Sequence, residues 1–143
     1  MVLVLDTNVI AESMRDAPDP AVLAWAASVA DAVIRTTAIS LGELRYGVAR
    51  LPAGQRRDHL ARDVQAAVGA LGPDAVLPYD AAAADVVGDI LVERERAGRP
   101  IQRADAQIAA ICRSVGAVLA TRNVRDFEGL GLEVVDPWSW PVA

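Results

Sequence analysis

The sequence predicts an α/β fold: a three-layer α/β/α sandwich around a central parallel sheet of about five strands. Two observations carry this. Short apolar runs rich in Val, Ile and Leu alternate along the chain with longer segments of helical periodicity; alternation of that kind builds a parallel sheet covered on both faces. Apolar residues make up 53% of the 143 residues, yet aromatics only 4%, so the core is aliphatic, as strands buried on both faces require. The length suits one domain spanning residues 1–143.

The elements follow in order. Val2 to Leu5 is a buried strand that ends abruptly in Asp6-Thr7-Asn8. Asp19-Pro20 places a capping carboxylate before a proline at the first helical position, which starts a helix through about Ala30. Val33 to Ile39 reads as the second strand. Ser40 to Leu51 reads as a helix, with Ser40 and Glu43 spaced as a capping box, and Pro52-Ala53-Gly54 ends it. Gln55 to Leu71 is helical, with Leu60, Val64, Ala67, Val68 and Leu71 on one face, and Gly72-Pro73 stops it. Val76 to Tyr79 is a short strand, and Asp80 caps a helix from Ala81 to Ala97 that Gly98 and Pro100 terminate. Arg103 to Val115 is helical, with Ile108, Ile111, Cys112 and Val115 on its apolar stripe. Ala117 to Thr121 and Leu132 to Val135 are the last strands.

Composition excludes several classes. No apolar run approaches the roughly 18 residues a membrane span needs, and no basic segment precedes an apolar N-terminal stretch. A lone cysteine, Cys112, excludes an internal disulfide and a cysteine-rich zinc site. These features predict a soluble cytoplasmic protein. The net charge of −5 argues against general coating of nucleic acid. If four of the acidic residues share one site, however, the remainder of the chain is close to neutral.

The chemistry gathers at strand ends. In open α/β sheets, ligands bind beyond the carboxyl ends of the strands. Asp6 follows the first strand, Ser40 and Glu43 the second, and Asn123 and Asp126 the strand ending at Thr121; Asp105 lies in the first turn of its helix beside the buried stripe. A buried carboxylate must be paired, hydrated or coordinated, and the chain has no lysine: all 14 basic residues are arginine. Four carboxylates along one edge repel unless a cation joins them. Oxygen donors suit Mg²⁺ or Mn²⁺, and a bound divalent ion at an open edge suits phosphodiester hydrolysis. A structural reading stands beside each of these. Ser40 and Glu43 can serve as a cap, Asp105 can favour its helix N-terminus, and Asp126 can cap the turn at Phe127-Glu128.

The segments LDTNVI at Leu5 to Ile10, ISLGELRYGV at Ile39 to Val48, ADAQIAA at Ala104 to Ala110 and ATRNVRDF at Ala120 to Phe127 occur in this order, and the chain ends in DPWSW at Asp136 to Trp140. Together they make the chain resemble PIN-domain ribonucleases of the VapC toxin family, in the FitB-like branch of type II toxin-antitoxin systems. The resemblance implies a PIN fold, Mg²⁺- or Mn²⁺-dependent endoribonuclease activity, a homodimer, and a VapB-like antitoxin through which operator DNA is bound. Carried over by position, it implies Asp6, Glu43 and Asp105 as core carboxylates. The fourth position is split between Asn123 and Asp126, with Asp126 taken as the site member and Asn123 as a polar supporter. On this reading Asp6 and Asp105 hold the metal, and Glu43 coordinates it or orients the attacking water. Thr7, Asn8, Ser40 and Thr121 support the shell, and Arg103, Arg122 and Arg125 are candidates to hold RNA phosphates. The tryptophans Trp25, Trp138 and Trp140 are either partner anchors or plugs of an aliphatic core.

Competing nucleotide and phosphate chemistries fail on single residues. A phosphoaspartate receiver needs an acidic pair after the first strand and a late lysine. A haloacid-dehalogenase-type phosphatase needs an aspartate where Asn8 stands. The glycines at Gly42 and Gly47 are followed by Val48-Ala49, where a P-loop requires Lys-Ser/Thr. The remaining alternative is a non-catalytic or weakly catalytic partner of a DNA-binding antitoxin that acts in transcriptional autoregulation.

Overall fold

The computed structural model describes residues 1–142. Five strands, β1 (Val2–Leu5), β2 (Val33–Thr37), β3 (Val76–Leu77), β4 (Val118–Ala120) and β5 (Val134–Val135), form one sheet in the order β3-β2-β1-β4-β5. Every neighbouring pair is parallel. Six helices cover it: α1 (Thr7–Ser13), α2 (Pro20–Ser28), α3 (Ala38–Ala49), α4 (Gln55–Gly69), α5 (Ala81–Arg96) and α6 (Arg103–Val115). The expected three-layer α/β/α architecture is the one observed.

The sheet is sided by the alternation of β1. Leu3 packs with Val9, Trp25 and Ala120 on one face. Val4 packs on the other face with Ala83, Ile90, Ile108, Ile111, Leu119 and Phe127, which come mainly from α5, α6 and β4. A third cluster, Ile10, Leu44, Val48 and Val64, joins α1, α3 and α4. Fully burying an aliphatic side chain of this size contributes about 1.5–3 kcal/mol. Trp25 is buried and Trp138 packs against its cluster, so these two plug the aliphatic core, whereas Trp140 is exposed.

Several boundaries differ from the sequence pattern. Helix α1 was not expected: its seven residues span too few turns for a period to show, and Asp6 caps it through Oδ1. β2 ends at Thr37 rather than Ile39, because the Thr37 side chain accepts from the Ser40 amide and starts α3 there. Ser40 and Glu43 therefore form no capping box; both lie inside α3. Asp126 sits within a 3₁₀ turn, Val124–Phe127, rather than capping it. The edge strands β3 and β5 are shorter than the apolar runs that announced them. Val115 ends the α6 stripe exposed, since Gly116 turns the chain away in the left-handed conformation at φ 67°.

One consequence of the strand order positions the site. From β1 the chain moves outward through β2 and β3, then returns to the opposite side of β1 for β4 and β5. The order reverses between β1 and β4, and a crevice opens at the carboxyl ends of strands at such a point.

Candidate active site

Asp6 stands in that crevice. Its amide continues the ladder, donating to the Ala120 carbonyl at 2.9 Å. Its Oδ1 accepts from the Thr7 amide at 2.8 Å and its Oδ2 from the Thr121 hydroxyl at 2.7 Å. Thr121, just past β4, is the hub of the floor. Besides donating to Asp6, its hydroxyl oxygen accepts from Asn8 Nδ2 at 3.3 Å and from the Asn123 amide at 3.1 Å. Asn8 closes the circuit by accepting from the Arg122 amide at 3.2 Å. Both oxygens of Asp6 are held in this way, which fixes its carboxylate in one orientation.

Three further carboxylates approach from separate elements. Glu43 comes from α3, Asp105 from the first turn of α6 and Asp126 from the 3₁₀ turn after β4. Glu43, Asp105, Asn123 and Asp126 line a cavity of about 430 Å³, together with Arg94, Pro100, Ile101 and Gln102. A depression of about 480 Å³ along α4, lined by Gln55, Arg56, Asp58, His59 and Arg62, has no such convergence of carboxylates.

The acids feel one another. Burial raises the Asp6 carboxyl above its ordinary range, and the Asp126 charge adds to this, while the Thr121 and Thr7 hydrogen bonds oppose it. Glu43 is raised by burial and by the charges of Asp6 and Asp105. Asp105 is pushed up to about 6 by burial, Asp6 and Asp126, with Arg94 pulling the other way. Such mutual repulsion marks a site short of positive charge.

The donor set suits a hard cation. It consists of carboxylate oxygens with amides and hydroxyls beside them; His59 is on α4, and Cys112 is buried in the core with its thiol pushed up to about 12. Two hydroxyls, Thr7 Oγ1 and Ser40 Oγ, are buried without a hydrogen-bond partner, and the Thr7 hydroxyl sits beside Glu43. Among the described residues, no three Asp, Glu, His or Cys side chains come together closely enough to hold a metal ion.

Arg103, Arg122 and Arg125 are exposed and do not line the cavity. Arg122 lies over the Trp138 ring at 5.0 Å, and the Arg125 carbonyl accepts from Arg99. The arginine that does line it is Arg94, which sequence reasoning missed. The signal was present: Arg94 follows Ile90 by four residues, so a cation occupies the apolar stripe of α5.

A parallel sheet with carboxylates gathered at its switch point is a hydrolase type of architecture, and the comparisons with known proteins narrow the class. The PIN domain family matches residues 3–131. VapC ribonuclease Y4jK of Sinorhizobium fredii is 38% identical, over 95% of this chain and 97% of that protein. Toxin FitB of Neisseria gonorrhoeae is 32% identical, over 95% and 98%. A structure of FitAB bound to an IR36 DNA fragment superposes with a TM-score of 0.85 at 32% identity, covering 99% of each chain. The chain belongs to the PIN-domain family, within its VapC and FitB toxin branch.

Among the described residues, no helix is long and apolar enough to cross a membrane.

Proposed function

We propose that this single-domain protein, residues 1–143, is a Mg²⁺-dependent endoribonuclease and the toxin of a type II toxin-antitoxin pair, with Mn²⁺ able to replace Mg²⁺. The convergence of Asp6, Glu43, Asp105 and Asp126 at the switch point carries this reading. Asp6 and Asp105 would hold the ion, directly or through water. When bound, the ion polarises a phosphoryl oxygen and lowers the pKa of a bound water. Glu43, whose carboxyl is already raised, accepts a hydrogen bond from the water that attacks the phosphorus in line and orients it. Asp126 adds negative charge opposite Asp6. Thr121, Asn8 and Thr7 hold the Asp6 carboxylate in place, and Asn123 supports the rim beside Asp126. Arg103, Arg122 and Arg125 lie outside the cavity, where they would meet phosphates on either side of the cleaved bond.

The partners follow from the relatives. A ribonuclease and a toxin of similar sequence support RNA as substrate and a small VapB-like antitoxin as inhibitor. The FitAB complex on DNA supports a second role, transcriptional autoregulation, in which the antitoxin supplies the DNA contacts that this acidic chain lacks. We place the pair in the cytoplasm, with the toxin as a homodimer.

The test is RNA cleavage by antitoxin-free protein in Mg²⁺, in EDTA and with Asp6→Asn. Cleavage is expected only for the wild-type protein with metal, and Asp6→Asn should lose on the order of a thousandfold, the equivalent of several kcal/mol of electrostatic stabilisation. Cleavage that survives either EDTA or Asp6→Asn rejects the mechanism.

A further inference from the structure

The cavity of carboxylates contains one cation of its own. Of the residues lining it, Arg94 alone is basic. Its residue is 7% exposed, which is rare for arginine without a partner. Buried guanidinium groups are normally matched to a carboxylate in a two-pronged contact. Arg94 is not: among the described residues, no carboxylate lies within ion-pair distance of it. It is tied to main-chain oxygens instead. Nε donates to the Arg99 carbonyl at 2.7 Å, and Nη1 donates to the Asp126 carbonyl at 2.7 Å.

Those two bonds leave donors over. A guanidinium has five N–H groups, and the Nη2 amino group has no acceptor among the described residues. The side chain is therefore clamped at two points, lines an acidic cavity, and has donors that no protein group uses. A polyanion entering that cavity meets repulsion from Glu43, Asp105 and Asp126. A fixed cation offsets the repulsion at one place, and because Arg94 is already immobilised, binding costs little further side-chain entropy.

We propose that Arg94 is a phosphate-binding residue of this site, its unused guanidinium edge taking a non-bridging oxygen of the RNA backbone while Arg99 and Asp126 hold the other donors. The proposal rests on the ribonuclease reading and adds to it a contact made by the protein itself. It also assigns to a buried helix residue what the exposed Arg103, Arg122 and Arg125 were expected to do.

The experiment measures binding of fluorescein-labelled single-stranded RNA to the full chain in EDTA, by anisotropy across a salt series. Wild-type protein is compared with Arg94→Gln, Arg94→Lys and Arg99→Ala. The last loosens the same junction, since Arg99 Nη2 donates to the Arg125 carbonyl at 3.0 Å, but leaves the cavity charge in place. Arg94→Gln should bind about tenfold more weakly, and its log–log salt slope should be shallower by about 0.7, the value of one phosphate contact on a single strand. Arg94→Lys should keep the slope with intermediate affinity, and Arg99→Ala should match wild type. An Arg94→Gln protein with wild-type affinity and slope overturns the proposal. So does an equal loss in Arg99→Ala, which would make Arg94 a tie between α5 and the turn and nothing more. Should Arg94→Gln fail to fold, the Nε–H resonance of Arg94 in ¹⁵N-arginine-labelled wild-type protein decides: it should shift as RNA is added, and an unmoved resonance at saturation overturns the proposal. Wild-type protein that neither binds nor cuts RNA rejects the ribonuclease reading and this proposal together. Cleavage by wild type with no effect of Arg94→Gln rejects the proposal alone.

Discussion

Asp6 and Glu12 are buried carboxylates at the two ends of the same short helix, 5% and 6% exposed, and their surroundings are opposite. Glu12 has a cation. Arg15 Nη1 reaches both of its oxygens, at 3.0 and 2.8 Å, and the Asp19 amide approaches at 3.4 Å, so this carboxylate joins α1 to the start of α2. Asp6 has a hydroxyl and an amide for partners, and its charged neighbours are other acids. Burial therefore does not separate a functional carboxylate from a structural one; the balance of charge around it does. Glu12 is a completed contact. Asp6 is one of a group of acids whose charges raise one another's carboxyls.

After Asp6→Asn itself, the largest effect expected from probing that difference is at Thr121, which orients Asp6 and carries no charge. Thr121→Val removes the donor to Asp6 and the acceptor used by Asn8 and the Asn123 amide. RNA cleavage should fall by about 10- to 100-fold, the usual cost of losing a group that orients a metal ligand. Thermal melts should show a loss of about 1–3 kcal/mol, because a buried acceptor is left without its partner. Thr121→Ser should restore most of both. If Thr121→Val cleaves normally, the hydroxyl does not set the Asp6 geometry.

The second test concerns pH and metal. The Asp105 carboxyl is raised from 3.8 to about 6 in the folded protein, so between those values the native state binds more protons than the unfolded one. Stability of the metal-free protein should then fall as pH rises through this window, with the full penalty present above it. Asp105→Asn removes the charge and should melt at a higher temperature than wild type at pH 7.5 in EDTA, the two curves converging towards pH 4. Saturating Mg²⁺ should stabilise wild type, by about 2.7 kcal/mol at a hundredfold excess over Kd, and should leave Asp105→Asn nearly unmoved. An Asp105→Asn protein that melts earlier at pH 7.5 makes Asp105 a structural residue like Glu12.

How far the sequence reveals this contrast depends on range. Strands β1 and β4 and helices α4, α5 and α6 were legible because burial on one face writes a local period, as in Ile108, Ile111 and Cys112. The carboxylates were legible because each follows the carboxyl end of a strand or opens a helix, and parallel order then forces them to one edge. Helix α1 was hidden by its length. The start of α3 was hidden because Thr37 and Ser40 are both competent caps, and only the end of the β2 ladder decides between them. Arg94 was hidden for a different reason: its partners are the carbonyls of Arg99 and Asp126, and main-chain acceptors leave no mark on residue identity. At the fourth corner the structure sets Asn123 and Asp126 side by side on the cavity wall, with the Asn123 amide fastened to Thr121 and Asp126 supplying the charge that Asp6 and Asp105 sense.

The smallest effect expected is at Glu12, and it is the control on the whole contrast. Glu12→Gln keeps the shape and one acceptor oxygen but deletes the charge that Arg15 addresses. The Arg15 side chain is 62% exposed, so the lost attraction is largely screened by solvent, and the cost should be about 1 kcal/mol or less. Cleavage in Mg²⁺ should be unchanged, and so should the Mg²⁺-induced rise in melting temperature, because no other carboxylate shares this contact and no ion is needed to complete it. Adding salt should narrow the stability gap between wild type and Glu12→Gln, since exposed charge pairs weaken as the screening length shortens. If Glu12→Gln instead lost cleavage as Asp6→Asn is expected to, the distinction between a carboxylate completed by an arginine and one awaiting a metal would not govern this fold. The packing of α1 against α3 and α4, through Ile10 with Leu44 and Val64, would then be transmitting the change to Glu43.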